Sequence, residues 1–232
     1  MSLDCDSYDT HNSIMRITLL PANEYTRVRW KNGQGWTREI LRIPEDRDDW
    51  DWRVSIAEVD HGGPFSAFEG CDRELVLLTG DGMRLNFDDG ESVELLPPHG
   101  RQRFSGERTL SAELISGPTQ DFNLIWRRDR IAAQLLHRPL VGPMVFFAEV
   151  GVTWLIYLLA GQAQFKDQAQ VPALQAGDSA LLQPLEGGVR RLILDGGGEV
   201  LLARIETHVD QRSSRVHTTS SSTLTGNFAV GR

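Results

Sequence analysis

LVLLTGDGMRLNF, Leu75 to Phe87, reads as an apolar strand, a glycine turn at Gly80-Asp81-Gly82, and an alternating strand that closes on phenylalanine. WLIYLLAGQAQF, Trp154 to Phe165, repeats that order around Gly161. After each, a further strand leads to a proline, Val93–Pro97 in the first case and Ser179–Pro184 in the second. Order and spacing agree as well as composition, so the two stretches read as tandem copies of one β unit.

Working outward, short apolar stretches recur between turns along the whole body: Met15–Leu20, Trp52–Val59, Leu110–Ile115, Phe122–Trp126, Met144–Val150, Arg191–Leu194 and Val200–Ile205. Gly, Pro and Asp punctuate them, as at Asp88-Asp89-Gly90, Pro97-Pro98 and Gly187-Gly188, and Gly196-Gly197-Gly198 reads as another hairpin turn. Many short strands at regular spacing predict an all-β sandwich or barrel. With the duplication, the expected fold is two cupin-like (jelly-roll) barrels in tandem, a bicupin. The first half is expected over residues 14–140 and the second over 141–210. Residues 1–13 and 211–232, polar and poor in apolar anchors, are expected to be flexible tails. Asp129–Leu136 reads either as a helix or as an edge strand.

The chain of 232 residues is 40% apolar and 24% charged, with a formal net charge of -8. Nucleic-acid binding and anionic membrane surfaces need clustered Lys and Arg, which an acidic chain without a basic block does not supply. Lys31 and Lys166 are the only lysines among 24 basic residues, so a cation in a pocket is expected to be arginine, which grips a carboxylate in a planar, two-pronged way. Cys5 and Cys71 do not make a disulfide framework. The longest apolar run, Val152–Ala160, is too short to span a bilayer, and the expected location is the cytoplasm. Exposed edge strands suit a homodimer.

Several chemistries lack their residues. The six histidines, His11, His61, His99, His137, His208 and His217, are scattered, with no two within reach of one hairpin. No bound metal or cofactor is expected, and no catalytic nucleophile stands out. Phosphate-loop, dinucleotide and nucleophile-elbow motifs are missing.

The informative region is Trp30–Arg73. In WKNGQGWTREI, Trp30 to Ile40, Asn32-Gly33 predicts a tight turn, and Gly35 lets another backbone approach closely. Thr37 and Glu39 then share a face. In DWRVSIAEV, Asp51 to Val59, alternation puts Trp52, Val54 and Ile56 on one side and Arg53, Ser55 and Ala57 on the other. A lone arginine beside small residues suits a pocket wall. Arg53 needs a carboxylate, from Glu39, from a ligand, or from both. In HGGPFSAFEGCDRELVLL, Phe65 and Phe68 can anchor a loop at a barrel mouth, as a lid or as a plug, before Asp72-Arg73.

These strings, with Asp121–Leu124 (DFNL) and Arg127-Arg128, resemble the HutD/Ves family from Met15 to about Arg128, and more weakly through the second repeat. The resemblance implies a bicupin-like β protein of histidine utilisation. Its role there would be to restrain or tune the pathway by binding an early intermediate such as formylglutamate or urocanate. It places the pocket motif on Trp30, Asn32, Gly33, Thr37, Glu39, Arg53, Ser55, Phe65, Phe68, Asp72 and Arg73. The family turn is usually N-G-G-G, and Gln34 replaces its middle glycine here. Arg53 is expected to hold a ligand carboxylate, with Asn32, Thr37 and Ser55 giving neutral hydrogen bonds.

Three functions follow in order of preference. The first is a metal-free, ligand-binding regulator of histidine utilisation that takes a small anionic metabolite (formylglutamate, formiminoglutamate or urocanate). The second is a cupin-type isomerase or hydrolase of a small carboxylic acid, with Glu39 or His99 as acid–base. The third is a partner-binding module with a filled interior.

Overall fold

The computed structural model describes residues 7–8, 15–30, 32–185 and 191–208. Strands β1 (Ser7–Tyr8), β2 (Met15–Leu20), β3 (Thr26–Arg29), β4 (Gly35–Ile43) and β5 (Trp52–Val59) come first. Next are β6 (Gly63–Pro64), β7 (Cys71–Thr79), β8 (Met83–Phe87), β9 (Ser92–Leu95), β10 (Arg101–Ser105), β11 (Leu110–Leu114) and β12 (Thr119–Arg127). The later strands are β13 (Ile131–Val141), β14 (Met144–Phe147), β15 (Val152–Phe165), β16 (Leu174–Gln175), β17 (Ser179–Pro184) and β18 (Arg191–Thr207). One 3-10 turn, Ala22–Glu24, is the only helical element among the described residues, and no helix is long and apolar enough to cross a membrane. The fold is all-β.

One pattern of pairing occurs twice, in the same chain order. In the earlier strands, β12 lies between β5 and β7, and β10 flanks β7; beside them, β11 lies between β6 and β8, and β9 flanks β8. In the later strands, β18 lies between β13 and the first part of β15, with β17 outside; its other end lies between β14 and the last part of β15, with β16 outside. Thus β15 stands for β7 and β8 in one strand, and β18 for β11 and β12.

The glycines explain the fusion. Between β7 and β8 the chain turns at Gly80 and Gly82, both at positive φ. Where Gly161 stands in the second unit, β15 bends and continues, opposite Gly198 of β18, and both have positive φ. A Cβ at Gly161 would lie 1.8 Å from the Gly197 carbonyl oxygen, and one at Gly198 would lie 1.8 Å from that of Ala160. Only glycine permits this crossing of backbones. Gly196–Gly198 is therefore a mid-strand bend, not the hairpin turn expected. WLIYLLAGQAQF is likewise one bent strand and not a hairpin.

Sheet membership crosses residue 140. β2 pairs with β17, and β13 forms the edge beyond β18, so both belong with the later strands. Asp129–Leu136 thus enters an edge strand, where Pro139 costs no ladder bond that a neighbour requires. Ser7–Tyr8, inside the stretch expected to be a tail, pairs with β2. The remainder of that stretch and residues 211–232 lie outside the described residues.

Three apolar clusters hold the fold. One joins the two units back to back: Trp52, Val54, Ile56, Phe122, Leu124 and Trp126 meet Leu135, Leu155, Tyr157, Leu201 and Ile205. A second fills the later unit with Met15, Ile17, Ile156, Leu158, Leu182, Leu194, Val200 and Leu202. The third, including Leu75, Leu77, Met83, Leu85 and Phe104, fills only part of the first unit. Arg53, Ser55 and Ala57, on the opposite side of β5, turn into the space left over.

Candidate functional site

A cavity of about 720 Å³ opens in the first unit. Thr37 of β4, Arg53, Ser55 and Ala57 of β5, Arg73 of β7, and Asn123 and Ile125 of β12 line it. The β3–β4 turn adds Trp30 and Asn32, and the loop after β6 adds Phe65, Ser66 and Phe68. Its size suits a small organic molecule.

The turn that carries Trp30 and Asn32 is built by local chemistry. Gly33 holds φ at +73°, and the Asn32 side chain accepts from the Gln34 amide at 3.0 Å. Gln34 takes an ordinary φ, so replacing the family's middle glycine costs no left-handed strain. Its backbone carbonyl accepts from the amides of Asp60 and His61, which ties the turn to the loop opposite. Gly35 is required by contact: a Cβ there would lie 2.3 Å from the Glu58 carbonyl oxygen on β5. Trp30 donates from Nε1 to Thr37 Oγ1 at 2.8 Å and meets the Phe65 ring edge to face at 6.3 Å.

Three arginines line the cavity: Arg29 of β3, which is exposed, and Arg53 and Arg73, which are less so. Arg53 donates from Nε to Glu39 at 2.6 Å. Arg73 is 7% exposed and has no carboxylate within ion-pair distance among the described residues. Its Nε and one terminal nitrogen donate instead to Asn123 Oδ1. The rings of Phe65, Phe104 and Phe68 surround its guanidinium at 4.9, 5.7 and 5.8 Å. Behind Asn123 lies Asp121, fully buried, with one carboxylate oxygen facing the Asn123 amide at 3.5 Å and the other without a partner among the described residues. Burial pushes the Asp121 carboxyl up to about 7, against the pull of Arg73 and of the hydrogen bond from Asn123. Burial also pushes Arg73 down to about 10, with Asp121 opposing and Arg53 adding to the fall.

The second unit shows what these positions hold where an apolar cluster occupies the interior. Leu77, Leu75 and Arg73 pair with Asp121, Asn123 and Ile125. Counting from Gly80 and Gly161, their counterparts are Leu158, Ile156 and Trp154, which pair with Val200, Leu202 and Arg204. Val200 and Leu202 thus stand where Asp121 and Asn123 stand in the first unit. Burying polar groups costs free energy that aliphatic residues avoid, so the sheet geometry does not demand the Arg73–Asn123–Asp121 group.

Of the eleven residues expected at the site, Trp30, Asn32, Thr37, Arg53, Ser55, Phe65, Phe68 and Arg73 line the cavity. Gly33 shapes the turn. Glu39 stands behind Arg53 and also approaches Arg42 at 3.6 Å. Asp72 faces the other side of β7, paired with Arg103 and Arg128 near the surface. Sequence reasoning did not assign Asn123, Asp121 or Ile125 to the site. The available sign was a polar pair, Asp121 just before the apolar run Phe122–Trp126 and Asn123 within it.

The model of the HutD family matches residues 22–202. The chain is 45% identical over 121 residues to an uncharacterized 21.2 kDa protein in the hutC 3′ region of Pseudomonas putida, spanning 52% of this chain and 63% of that one. It is 34% identical over 177 residues to protein Ves of Cronobacter sakazakii, covering 76% and 91% of the two chains. The structure of HutD from Pseudomonas fluorescens superposes with a TM-score of 0.71 at 30% identity, covering 83% of this chain and all of that one.

Proposed function

This chain belongs to the HutD family, and from that premise we propose that it binds a small organic anion, without a metal in the binding cavity, and so regulates histidine utilisation. The position of one relative in a hutC 3′ region supports the pathway. The anion we propose is formylglutamate, formiminoglutamate or urocanate. One observation carries the reading: Arg53 and Arg73, with Arg29 more exposed, face a single cavity whose described wall contains no His, Cys, Asp, Glu, Lys or Tyr. Glu39 takes only Nε of Arg53, and Asn123 takes Nε and one terminal nitrogen of Arg73. The other terminal nitrogens remain for a ligand carboxylate, each charge-assisted contact being worth ~1.5–3 kcal/mol. Two such arginines favour the two dicarboxylates over urocanate. Trp30, Phe65 and Ile125 give the carbon chain an apolar wall.

The repeated strand pairing supports reading the chain as two cupin-like barrels, the first hollow and the second packed solid. The same wall argues against an enzyme, because no described residue on it is an ordinary general acid or base. Glu39 is engaged by Arg53 and Arg42, and His99 lines a separate groove.

The test is thermal melting with each of the three metabolites, with NMR of the same samples. A melting shift with a dicarboxylate and no new product supports binding. Formation of product would replace this reading with the enzymatic one, and no shift with any of the three would remove it.

A further inference from the structure

His99, His137 and Glu199 are brought together from both units, outside the arginine cavity. Among the described residues they form the one group of three such side chains whose ligand atoms all lie within 4.8 Å of one another. His99 stands in the turn between β9 and β10 of the first unit. His137 and Glu199 come from paired strands of the second, β13 and β18, where Pro139 opposes Glu199 and His137 opposes Leu201. Both side chains thus leave the same face, toward the first unit.

The geometry prepares a nitrogen lone pair on His99. The turn holds His99 at φ +56° and sets its Nδ1 3.2 Å from the Leu77 carbonyl oxygen. A carbonyl only accepts, so Nδ1 carries the proton and neutral His99 presents a bare Nε2. That backbone bond is the outer-shell contact that orients a metal-binding imidazole. The bare nitrogen then faces a carboxylate oxygen of Glu199 at 3.4 Å. Two lone pairs opposed at that distance repel unless a proton or a metal cation lies between them. His137 Nε2 donates a hydrogen bond to the same oxygen at 2.8 Å, through a proton that a metal ion would displace. In a tetrahedral site with bonds of ~2.0–2.1 Å, neighbouring ligand atoms stand ~3.3 Å apart, between those two separations.

We propose that His99, His137 and Glu199 bind a divalent metal of the zinc type and so fasten the two units together. Two imidazoles and one carboxylate suit zinc and its neighbours rather than calcium or magnesium. The fourth position opens on a groove of about 380 Å³, which Arg101 and Arg138 also line. Arg101 and Arg138 are each held by a backbone carbonyl, of Leu135 and His137 respectively. Their charges oppose a bare cation and favour water or a small anion as the fourth ligand.

The test uses tag-free, full-length protein stripped with EDTA and titrated calorimetrically with Zn²⁺, beside His99→Ala, His137→Ala and Glu199→Gln. The expected result is one Zn²⁺ per chain with a rise in melting temperature, at least 10-fold weaker binding in each variant, and no rise with Mg²⁺. Co²⁺ should give the intense visible absorption of a tetrahedral site in the parent chain alone. If one variant does not fold, the remaining two decide. No stoichiometric uptake, or equal uptake by parent and variants, overturns the proposal.

Discussion

Replacing Asp121 by Asn keeps the shape of a buried side chain and removes its ability to ionise. Its carboxyl is pushed up to about 7 in the folded protein, from 3.8 in the free side chain, chiefly by burial. Ionising it in the fold therefore costs roughly 4 kcal/mol more than in the unfolded chain, at ~1.36 kcal/mol per pH unit. The sign follows from proton counting. For this acid the folded pKa lies above the unfolded one, so between about 4 and 7 the folded state keeps a proton that the unfolded chain has released. Stability from this group is fully present below about 4, falls as pH rises, and levels off above about 7. Arg73, pushed down only to about 10, stays charged across that range. Urea denaturation at pH 5, 6, 7 and 8 should show the parent chain losing up to ~1.4 kcal/mol per pH unit relative to Asp121→Asn between pH 5 and 7, then running parallel. Only below about pH 4, where folded and unfolded states both keep the proton, should the two differ little. Parallel curves throughout would refute the reasoning, because they would mean that Asp121 is already ionised, and compensated, in the fold.

Two further outcomes follow from single contacts. Arg53→Ala should fold, since Arg53 is partly exposed and Glu39 keeps Arg42 nearby, yet should lose ~1.5–3 kcal/mol of anion affinity, read by ligand-dependent melting. Gly161→Ala should lower the melting temperature sharply, by ~3 kcal/mol or more in stability, because a methyl 1.8 Å from a carbonyl oxygen forces apart β15 and β18.

Alternation along Asp51–Val59 was legible in sequence because a β-strand has one period and this one is half apolar. It placed Arg53, Ser55 and Ala57 on the cavity side correctly. Asn32-Gly33 and Gly35 were legible for the same reason: a turn and a close approach each require a specific residue. Asp121 and Asn123 were harder to assign. The strand β12 is buried on both faces, and a run such as DFNLIW has no exposed face against which polar residues look out of place.

The sequence by itself determined the β class and the arginine-bearing wall, because period and turn chemistry are local properties of the chain. Only the tertiary structure decided that the glycine of the second repeat bends a strand instead of ending it. It alone set Arg73 against Asn123 and brought His99 to His137. Those outcomes depend on which strands pair and which faces pack, and residues distant in sequence become neighbours only when the sheets close.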